Sequence, residues 1–338
     1  MTTISFPGLG IEAFEMNPIA FTIPIFGGLD VHWYGLIIAV GMLLAFLYVG
    51  LSCRREQVKL DDILDIGLFA VVFGIIGARL YYVLTSDHAY NSFKEVIAIW
   101  NGGLAIYGGI IAGALTIYVC CRHKKISFLK VFDLAAPAVI LAQAIGRWGN
   151  FVNGEAYGTA LTESSPLYFL RMGLLPNIDS RFMMHYYHPT FLYESVWNLL
   201  GFALLALMAR KKKFDGQICY MYMAWYGLGR MVIEGLRVDS LYVGVFRISQ
   251  VVAFISFVIG SVLFVVTLLN TRREEQAKMA YEAAYPKLSR MNAEQDAAAD
   301  EGQTNDEDGS DAAEETEDGE DLSEEDEDPD LFEDDDNR

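Results

Sequence analysis

Seven long apolar stretches follow one another along this chain and constrain its fold more than any other feature. A membrane-spanning helix needs about 20 mostly apolar residues, and a soluble core would not supply seven such runs in series. Their Leu, Ile, Val, Phe, Ala and Gly content suits helices in lipid. The sequence therefore predicts an all-α polytopic membrane protein with about seven transmembrane helices, the first of them beginning near Ile19 or Val31. The apolar stretches are approximately Leu36–Leu51, Ile63–Leu84, Leu104–Cys121, Leu129–Ile145, Thr190–Ala209, Gln217–Ile233 and Ile248–Leu269.

The basic residues of the connecting loops predict the orientation in the membrane. Thirteen Lys and Arg lie in one alternate set of loops and six in the other. The positive-inside rule places the richer set in the cytoplasm, so we expect the N-terminus outside and the C-terminus inside. Because no Lys or Arg precedes Arg54, no cleaved signal peptide is expected. The richer set is Arg54, Arg55, Lys59, Arg122, Lys124, Lys125, Lys130, Arg210, Lys211, Lys212, Lys213, Arg272 and Arg273; the poorer set is Lys94, Arg147, Arg171, Arg181, Arg237 and Arg247.

The acidic C-terminus accounts for the net charge of −19 over 338 residues. Glu294–Arg338 holds 24 Asp and Glu and one basic residue, which leaves the rest of the chain at +4. This distribution excludes a conventional acidic soluble enzyme and a nucleic-acid binder. We expect a membrane body over 1–271 with an outer-face segment at about 146–188, and an amphipathic juxtamembrane segment over 272–293. The tail over 294–338 is expected to be disordered, cytoplasmic and dispensable for any chemistry.

The four cysteines fall near predicted cytoplasmic helix ends. They are Cys53, Cys120, Cys121 and Cys219. A reducing compartment argues against disulfides, and two adjacent cysteines do not have a metal-ligand spacing. We therefore interpret them as small apolar packing residues.

The segment Gly146–Gly158 interrupts the apolar background on the predicted outer side. It holds four Gly, two Asn, one Arg and one Glu in 13 residues. Such a composition does not suit a helix facing lipid, and we expect non-helical backbone that lines a cavity. Arg147 offers a planar fork that matches a phosphate. The alternative is an exposed loop with a structural Arg147–Glu155 pair.

Three further polar segments lie on the same predicted side. A charged group at membrane depth costs roughly 2.5–3.5 kcal/mol, so each needs a partner or a task. Tyr226, Arg230 and Glu234 step by four and form one helical stripe, which could bind an anion or close a structural bridge. The other two segments have equally plain alternatives, namely close helix packing and an interfacial position. They are Asn101–Gly109, which contains Tyr107, and His188–Glu194; Tyr34 and Arg79 add polar groups.

These segments together predict an outer site for an anionic, lipid-like ligand. A membrane transporter for an anion or lipid is the main alternative, because broken, Gly-rich segments with internal arginines suit a porter. No internal repeat supports that alternative. An intramembrane protease is weaker, because the chain has no Gly-x-Ser-x-Gly, no paired Asp at depth and no His-Glu-x-x-His.

The Gly146–Gly158 segment resembles the signature of the prolipoprotein diacylglyceryl transferase family, G-R-x-G-N-F-x-N-G-E-x-x-G, at every fixed position. The resemblance covers about Ile19 to Leu269. It is also carried by Trp33–Gly35, Gly77–Leu80, the Gly-Gly pair after Tyr107, His188–Glu194 and Tyr226–Glu234.

The resemblance implies an enzyme of a bacterial cytoplasmic membrane. The family moves the diacylglyceryl group of phosphatidylglycerol onto the thiol of a lipobox cysteine in a prolipoprotein signal peptide, forming a thioether and releasing glycerol phosphate. It implies that residues 1–271 are catalytic, with membrane lipid as surroundings and with no metal or soluble cofactor. Arg147 and Arg230 are implied to hold the phosphate. Asn150, Glu155 and Gly158 would shape the loop, Tyr34 and Tyr226 would line the headgroup cavity, and Glu234 would contribute to binding.

The sequence departs from the family pattern in three places. Tyr107 stands where many members have His, and Phe191 and Thr159 replace a usual Gln and a common basic residue. Because the pKa of tyrosine is about 10, Tyr107 either donates a hydrogen bond or leaves the general base to another residue. His188 is the nearest titratable alternative by motif.

Overall fold

The computed structural model describes residues 2–24, 28–86, 90, 92–99, 102–176, 185–238, 242–243 and 245–286. Asn101, Arg181 and the acidic tail lie outside this described part. Seven long helices account for most of it, and they coincide with the seven predicted stretches. They are α1 (Trp33–Cys53), α2 (Leu60–Thr85), α4 (Ile106–His123), α5 (Phe128–Asn153), α6 (Thr190–Ala209), α7 (Gln217–Glu234) and α8 (Ile248–Ala284); a short helix, α3, spans Phe93–Ile97.

Six of the long helices are long and apolar enough to cross a membrane by length and composition. The seventh, α7, is 18 residues long, and its aromatic and polar residues lower its mean hydropathy. Large apolar side chains such as Leu43, Leu68 and Ile110 stand more than half exposed on the helices. A surface of this kind is stable against lipid and not against water. The prediction of a mostly helical, multi-pass membrane protein is confirmed, with about seven helices as an approximate count.

Glycine contacts bring the helices close together. A Cβ on Gly108 of α4 would lie 2.3 Å from the carbonyl oxygen of Gly77 of α2, so only glycine permits this approach. Helix α5 packs against α1, α6 and α7. The α6–α7 contact is reinforced by Trp197 and Trp225, whose rings stack with centroids 4.4 Å apart. Helix α5 is therefore the central element of the bundle.

Three helix boundaries differ from the sequence expectation. Helix α1 begins at Trp33, because the residues before it form an antiparallel hairpin of β3 (Ile19–Ile23) and β4 (Leu29–His32). Helix α5 does not end at Ile145 but continues to Asn153, where Gly154 adopts a left-handed φ of 66° and ends it. Helix α8 runs on to Ala284, so the juxtamembrane residues from Arg272 begin as a continuation of the last helix. The expected non-helical backbone over Gly146–Asn153 is therefore wrong.

The all-α expectation also missed small sheets. β1 (Thr2–Phe6), β2 (Ile11–Met16), β5 (Met172–Pro176) and β6 (His185–Tyr187) form one antiparallel sheet in the order β2-β1-β5-β6, and β7 (Tyr242–Val243) pairs with β8 (Phe246–Arg247). Phe6 of β1 packs against Phe151 and Phe191, whose rings stack 4.6 Å apart. This aromatic cluster joins the sheet to the end of α5 and the start of α6.

The cysteines pack as the sequence predicts. All four are free thiols. Cys53 and Cys121 are buried in one apolar cluster with Ile63 and Val131, where they act as small apolar side chains.

Candidate active site

The carboxylate of Glu194 lies at the centre of a buried ionic cluster. Arg147 of α5 forms an ion pair with its Oε2 atom, and Nη1 of Arg230 of α7 donates to its Oε1 atom at 2.6 Å. Glu194 belongs to the second turn of α6 and is 4% exposed. Two predicted phosphate ligands from separate helices therefore meet on one carboxylate.

Neighbouring contacts fix Arg147 opposite Glu194. Nε1 of Trp148 donates to Oγ of Ser195 at 3.1 Å, and that hydroxyl donates to the carbonyl oxygen of Ala144 at 2.9 Å. These bonds join α5 and α6 at the residues adjacent in sequence to the ion pair. The orientation of the two charged side chains is thus set by the helix contact itself.

The predicted stripe on α7 contributes a second carboxylate. Nη2 of Arg230 lies 2.5 Å from Oε2 of Glu234, and Arg247 donates to the backbone oxygen of Glu234. Arg237, which follows α7, places Nη1 3.7 Å from Oε1 of Glu194. With Arg147, the cluster therefore holds four guanidinium groups and two carboxylates. Because both carboxylates are nearly inaccessible to water, the excess positive charge favours an anionic ligand.

Asn150 and Glu155 hold the end of α5 and the segment after it. Nη1 of Arg147 donates to Oδ1 of Asn150 at 3.3 Å, and the Asn150 amide donates to Oε1 of Glu155 at 3.1 Å. The Asn153 amide donates to the same oxygen at 3.2 Å. Arg147 pairs with Glu194, and no Arg147–Glu155 pair occurs in the described part of the chain. The structural alternative from the sequence is therefore wrong, although Glu155 does shape this segment.

Gly158 and His188 join the outer segment to α6. The backbone N–H of Gly158 donates to the carbonyl oxygen of His188 at 3.0 Å, and a Cβ on Gly158 would lie 2.6 Å from Cβ of His188. Nδ1 of His188 lies 3.3 Å from the hydroxyl of Tyr193. Burial lowers the pKa of the His188 imidazole, so it is neutral at pH 7. A neutral imidazole can accept a proton.

A large apolar cavity of about 590 Å³ opens beside Arg147. Its polar end is formed by Arg147, Asn150, Tyr34 and Gln143. The remaining walls are aliphatic and aromatic side chains of α1, α2, α4 and α5, for example Met42, Phe46, Ile66, Val71, Leu134 and Val139. An apolar cavity with one cationic end suits an amphipathic anion better than a fully water-soluble one.

Of the two predicted tyrosines, Tyr34 lines this cavity and Tyr226 packs on a residue bonded to its wall. Tyr34 lines it and packs on Gly149, where an added Cβ would lie 2.7 Å from the ring. Gly149 thus serves close packing inside a helix. Tyr226 stacks on Tyr222 with ring centroids 5.7 Å apart, and the Tyr222 hydroxyl accepts a hydrogen bond from Gln143 of the cavity wall.

Tyr107 is not brought into the ionic cluster. It is the second residue of α4, and its neighbour Ile106 lines the cavity. Within the described residues its hydroxyl has no hydrogen-bond partner. Its catalytic role stays a prediction. Phe191 and Thr159, the other departures from the family pattern, contribute an aromatic stack and backbone hydrogen bonds respectively.

Arg79 organises the segment that leads into α4. Its guanidinium group donates to the carbonyl oxygens of Glu95, Val96, Gly102 and Gly103 at 2.7–2.9 Å. A second, smaller cavity of about 280 Å³ lies beside it. Because these donors already meet backbone acceptors, Arg79 has a structural role.

Glu194 and Arg237 are the site residues that the sequence reasoning missed. The sequence places Glu194 in the outer segment His188–Glu194, for which an interfacial position is the alternative, and counts Arg237 among the loop charges. One signal was available, since a carboxylate inside a span requires a cation. Arg147 and Arg230 were the obvious cations.

The fold and this cluster define a multi-pass membrane protein with an arginine-rich site beside an apolar cavity that Arg147 lines. Comparison with known proteins agrees with that class. The family model described as "Prolipoprotein diacylglyceryl transferase" matches residues 18–266. The chain belongs to this family.

Several curated relatives carry the name phosphatidylglycerol–prolipoprotein diacylglyceryl transferase. The protein of Streptococcus equi subsp. zooepidemicus is 45% identical over 251 residues, which cover 73% of this chain and 93% of the relative. A protein of Clostridium perfringens with that name, numbered 1, is 42% identical over 266 residues, covering 77% and 98%. The Streptococcus mutans protein is 41% identical over 261 residues, covering 75% and 96%.

Proposed function

We propose that this protein transfers the diacylglyceryl group of phosphatidylglycerol to the lipobox cysteine thiol of prolipoproteins, in a bacterial cytoplasmic membrane. The observation that carries the proposal is the meeting of Arg147 and Arg230 on one buried carboxylate at the polar end of an apolar cavity. The names of the relatives support the two substrates. The family match supports this function and not the transporter alternative.

The reaction is an alkyl transfer to sulfur. The cysteine sulfur forms a bond to the terminal glyceryl carbon of the lipid, and the bond between that carbon and the phosphate oxygen breaks. The bonding electrons leave with the phosphate, which becomes glycerol phosphate, and the thiol proton passes to a base. The two chemical demands are a thiolate and stabilisation of the charge that develops on the phosphate.

The arginines meet the second demand. Arg147 and Arg230 approach from α5 and α7, so a phosphate between them would receive donors from two sides. Guanidinium groups in a site with little water stabilise developing negative charge more than they would in bulk solvent. Asn150, Glu155 and Gly158 hold the segment that carries Arg147, and Tyr34 and Tyr226 bound the headgroup region.

Two residues are candidates for helping to form the cysteine thiolate. His188 is neutral at pH 7 because burial lowers its pKa, so it can accept the thiol proton. Tyr107 would donate a hydrogen bond to a reacting group from the start of α4. Glu234 holds Arg230 in place.

A mass measurement on a peptide tests the function directly. The purified protein is incubated with phosphatidylglycerol vesicles and a lipobox peptide, and the peptide cysteine should gain the mass of one diacylglyceryl group while glycerol phosphate is released. A peptide with Ser in place of the cysteine is the matched control. An unchanged cysteine, in protein that still binds the lipid, would contradict the proposed function.

A further inference from the structure

Glu194 occupies the position that an anionic ligand would take. Each of its two carboxylate oxygens pairs with a guanidinium from a different helix, Oε1 with Arg230 and Oε2 with Arg147. The non-bridging oxygens of a phosphodiester form a similar pair of acceptors for arginine forks. Because the same N–H groups cannot fully serve two anions, ligand phosphate and Glu194 compete for them. This argument rests on the proposed function.

The charges of the cluster favour such an exchange. Four arginines surround Glu194 and Glu234 among the described residues, and this arrangement attracts an anion. The substrate phosphodiester carries one negative charge, whereas the product phosphomonoester approaches two. Glu194 therefore opposes the product more strongly than the substrate.

Arg237 provides a position to which Glu194 can move. Its Nη1 atom lies 3.7 Å from Oε1 of Glu194, beyond hydrogen-bond distance but close enough for attraction. A small rotation of the Glu194 side chain toward Arg237 would keep the carboxylate paired while Arg147 and Arg230 turn to the lipid. Glu194 would keep a cationic neighbour in both arrangements, which avoids the cost of an isolated buried charge.

We propose that Glu194 is an internal anion that the lipid phosphate displaces from Arg147 and Arg230, and that returns to expel the product phosphate. It is a positioning residue, because it acts through the two arginines. It sets the affinity of the site for anions and limits inhibition by the product.

The substitution Glu194→Gln tests this proposal because it keeps the shape of the side chain and removes its charge. Inorganic phosphate and glycerol phosphate, titrated by calorimetry into the full-length protein in detergent, should bind about tenfold more tightly than to the wild type. In the transfer assay the KM for phosphatidylglycerol should fall. The kcat should fall as well, with a rapid first turnover followed by slow release of product.

Two other acidic residues are matched controls. Glu12 is exposed on β2, away from the cluster, so Glu12→Gln should leave phosphate affinity unchanged. Glu234 pairs with Arg230 but not with Arg147, so Glu234→Gln should tighten phosphate binding by less than Glu194→Gln. If Glu194→Gln does not fold, Glu194→Asp keeps the charge on a shorter side chain that cannot bridge both arginines, and should tighten phosphate binding by about threefold.

Phosphate affinity that is unchanged or weaker in Glu194→Gln, or unchanged in a folded Glu194→Asp, would overturn the proposal. The titration with phosphate does not depend on transfer. Tighter phosphate binding without any lipidated peptide would therefore support the exchange and contradict the proposed function, so the two failures are distinguishable.

Discussion

Two buried ionic clusters lie at opposite ends of the helix bundle, about 21 Å apart along α5 by the rise of the helix. The outer cluster contains Arg147 and Glu194. The inner cluster surrounds Asp133, near the start of α5, and Lys212 of the loop between α6 and α7. In the inner cluster the carboxylates outnumber the lysine, and in the outer cluster the arginines outnumber the carboxylates.

The inner cluster is saturated by its own chain. Asp133 accepts hydrogen bonds from the backbone N–H groups of Gly216, Ile218 and Cys219 at 2.7–2.9 Å, so it caps the first turn of α7. Lys212 lies 2.5 Å from Oε2 of Glu56. Burial opposes the charge of Lys212, but the hydrogen bond to Glu56 and the charge of Asp133 outweigh it and raise its pKa. These contacts hold helices together and leave no cation for a ligand.

The two clusters differ in whether their buried charges are available for chemistry. A carboxylate that accepts backbone N–H groups fixes a helix end and has no reason to move. Glu194 is held by side-chain guanidinium groups, in a cluster where arginines outnumber carboxylates, so another anion can replace it. We therefore expect the outer cluster to control transfer and the inner cluster to control stability.

The largest expected effect is on transfer, in the outer cluster. Arg147→Ala and Arg230→Ala should each reduce the rate of lipidation about 10³-fold, because each removes a charged donor to the developing phosphate. Both variants should still insert into the membrane. The rate is measured by mass gain on the lipobox peptide, and insertion by extraction and gel filtration.

Arg54→Ala is the matched control for these variants. Arg54 is exposed at the end of α1, away from the cluster, and its loss should leave the rate within twofold of the wild type. Normal turnover by purified Arg147→Ala protein would show that Arg147 does not stabilise the phosphate. It would also contradict the assignment of transfer to the outer cluster.

The second effect is on stability, in the inner cluster. Asp133→Asn should lower the free energy of unfolding by about 3 kcal/mol, because its amide nitrogen cannot accept the N–H of Gly216 and the buried start of α7 loses a charged acceptor. Transfer per folded molecule should stay unchanged. Thermal unfolding in detergent gives the first quantity and the peptide assay the second.

The double variant Asp133→Asn with Lys212→Met separates charge from packing. Because Lys212 also pairs with Glu56 and Asp215, its removal leaves these carboxylates without their lysine, and the double variant should be less stable than Asp133→Asn alone. A large loss of specific activity in Asp133→Asn would contradict the expectation that the inner cluster controls stability and not transfer.

The sequence predicted the charged residues of the outer site better than it predicted the secondary structure around them. Apolar length placed all seven helices, and the cost of buried charge identified Arg147 and Arg230. Composition alone could not show that α5 continues through Gly146–Asn153, because the packing of Gly149 on Tyr34 overrides the weak helix propensity of glycine. The sequence indicates that a carboxylate inside a span needs a cation, but the pairing of Glu194 with both arginines depends on how α5, α6 and α7 meet.

The third prediction concerns the cavity beside the outer cluster. Gly149→Ala should raise the KM for phosphatidylglycerol about tenfold, because its Cβ would lie 2.7 Å from the Tyr34 ring and displace it from the cavity wall. Gly41→Ala on α1 is the matched control. Its Cβ would lie no closer than 3.5 Å to Ala142, so it should change the KM by less than twofold.

Tyr34→Ala should also raise the KM for phosphatidylglycerol. If the glycine acts through Tyr34, the double variant Gly149→Ala with Tyr34→Ala should be no worse than Tyr34→Ala alone. Because alanine is the better helix former, any loss in Gly149→Ala cannot come from helix propensity. An unchanged KM in Gly149→Ala would show that Tyr34 has no role in binding the lipid.

The smallest expected effect is the pH dependence of the outer segment at His188. Burial holds the pKa of His188 below the ordinary value of 6.5, so the neutral form is favoured in the folded protein. Stability from this residue is fully present above pH 6.5 and is lost as the pH falls through the folded pKa. The unfolding temperature should therefore decrease less between pH 7 and pH 5 in His188→Gln than in the wild type.

The exposed His123 is the control, and His123→Gln should retain the wild-type profile. Identical profiles in all three proteins would mean that burial of the His188 imidazole does not couple to folding. Since no histidine contacts the Asp133 cluster within the described residues, a pH effect in this range would belong to the outer end alone.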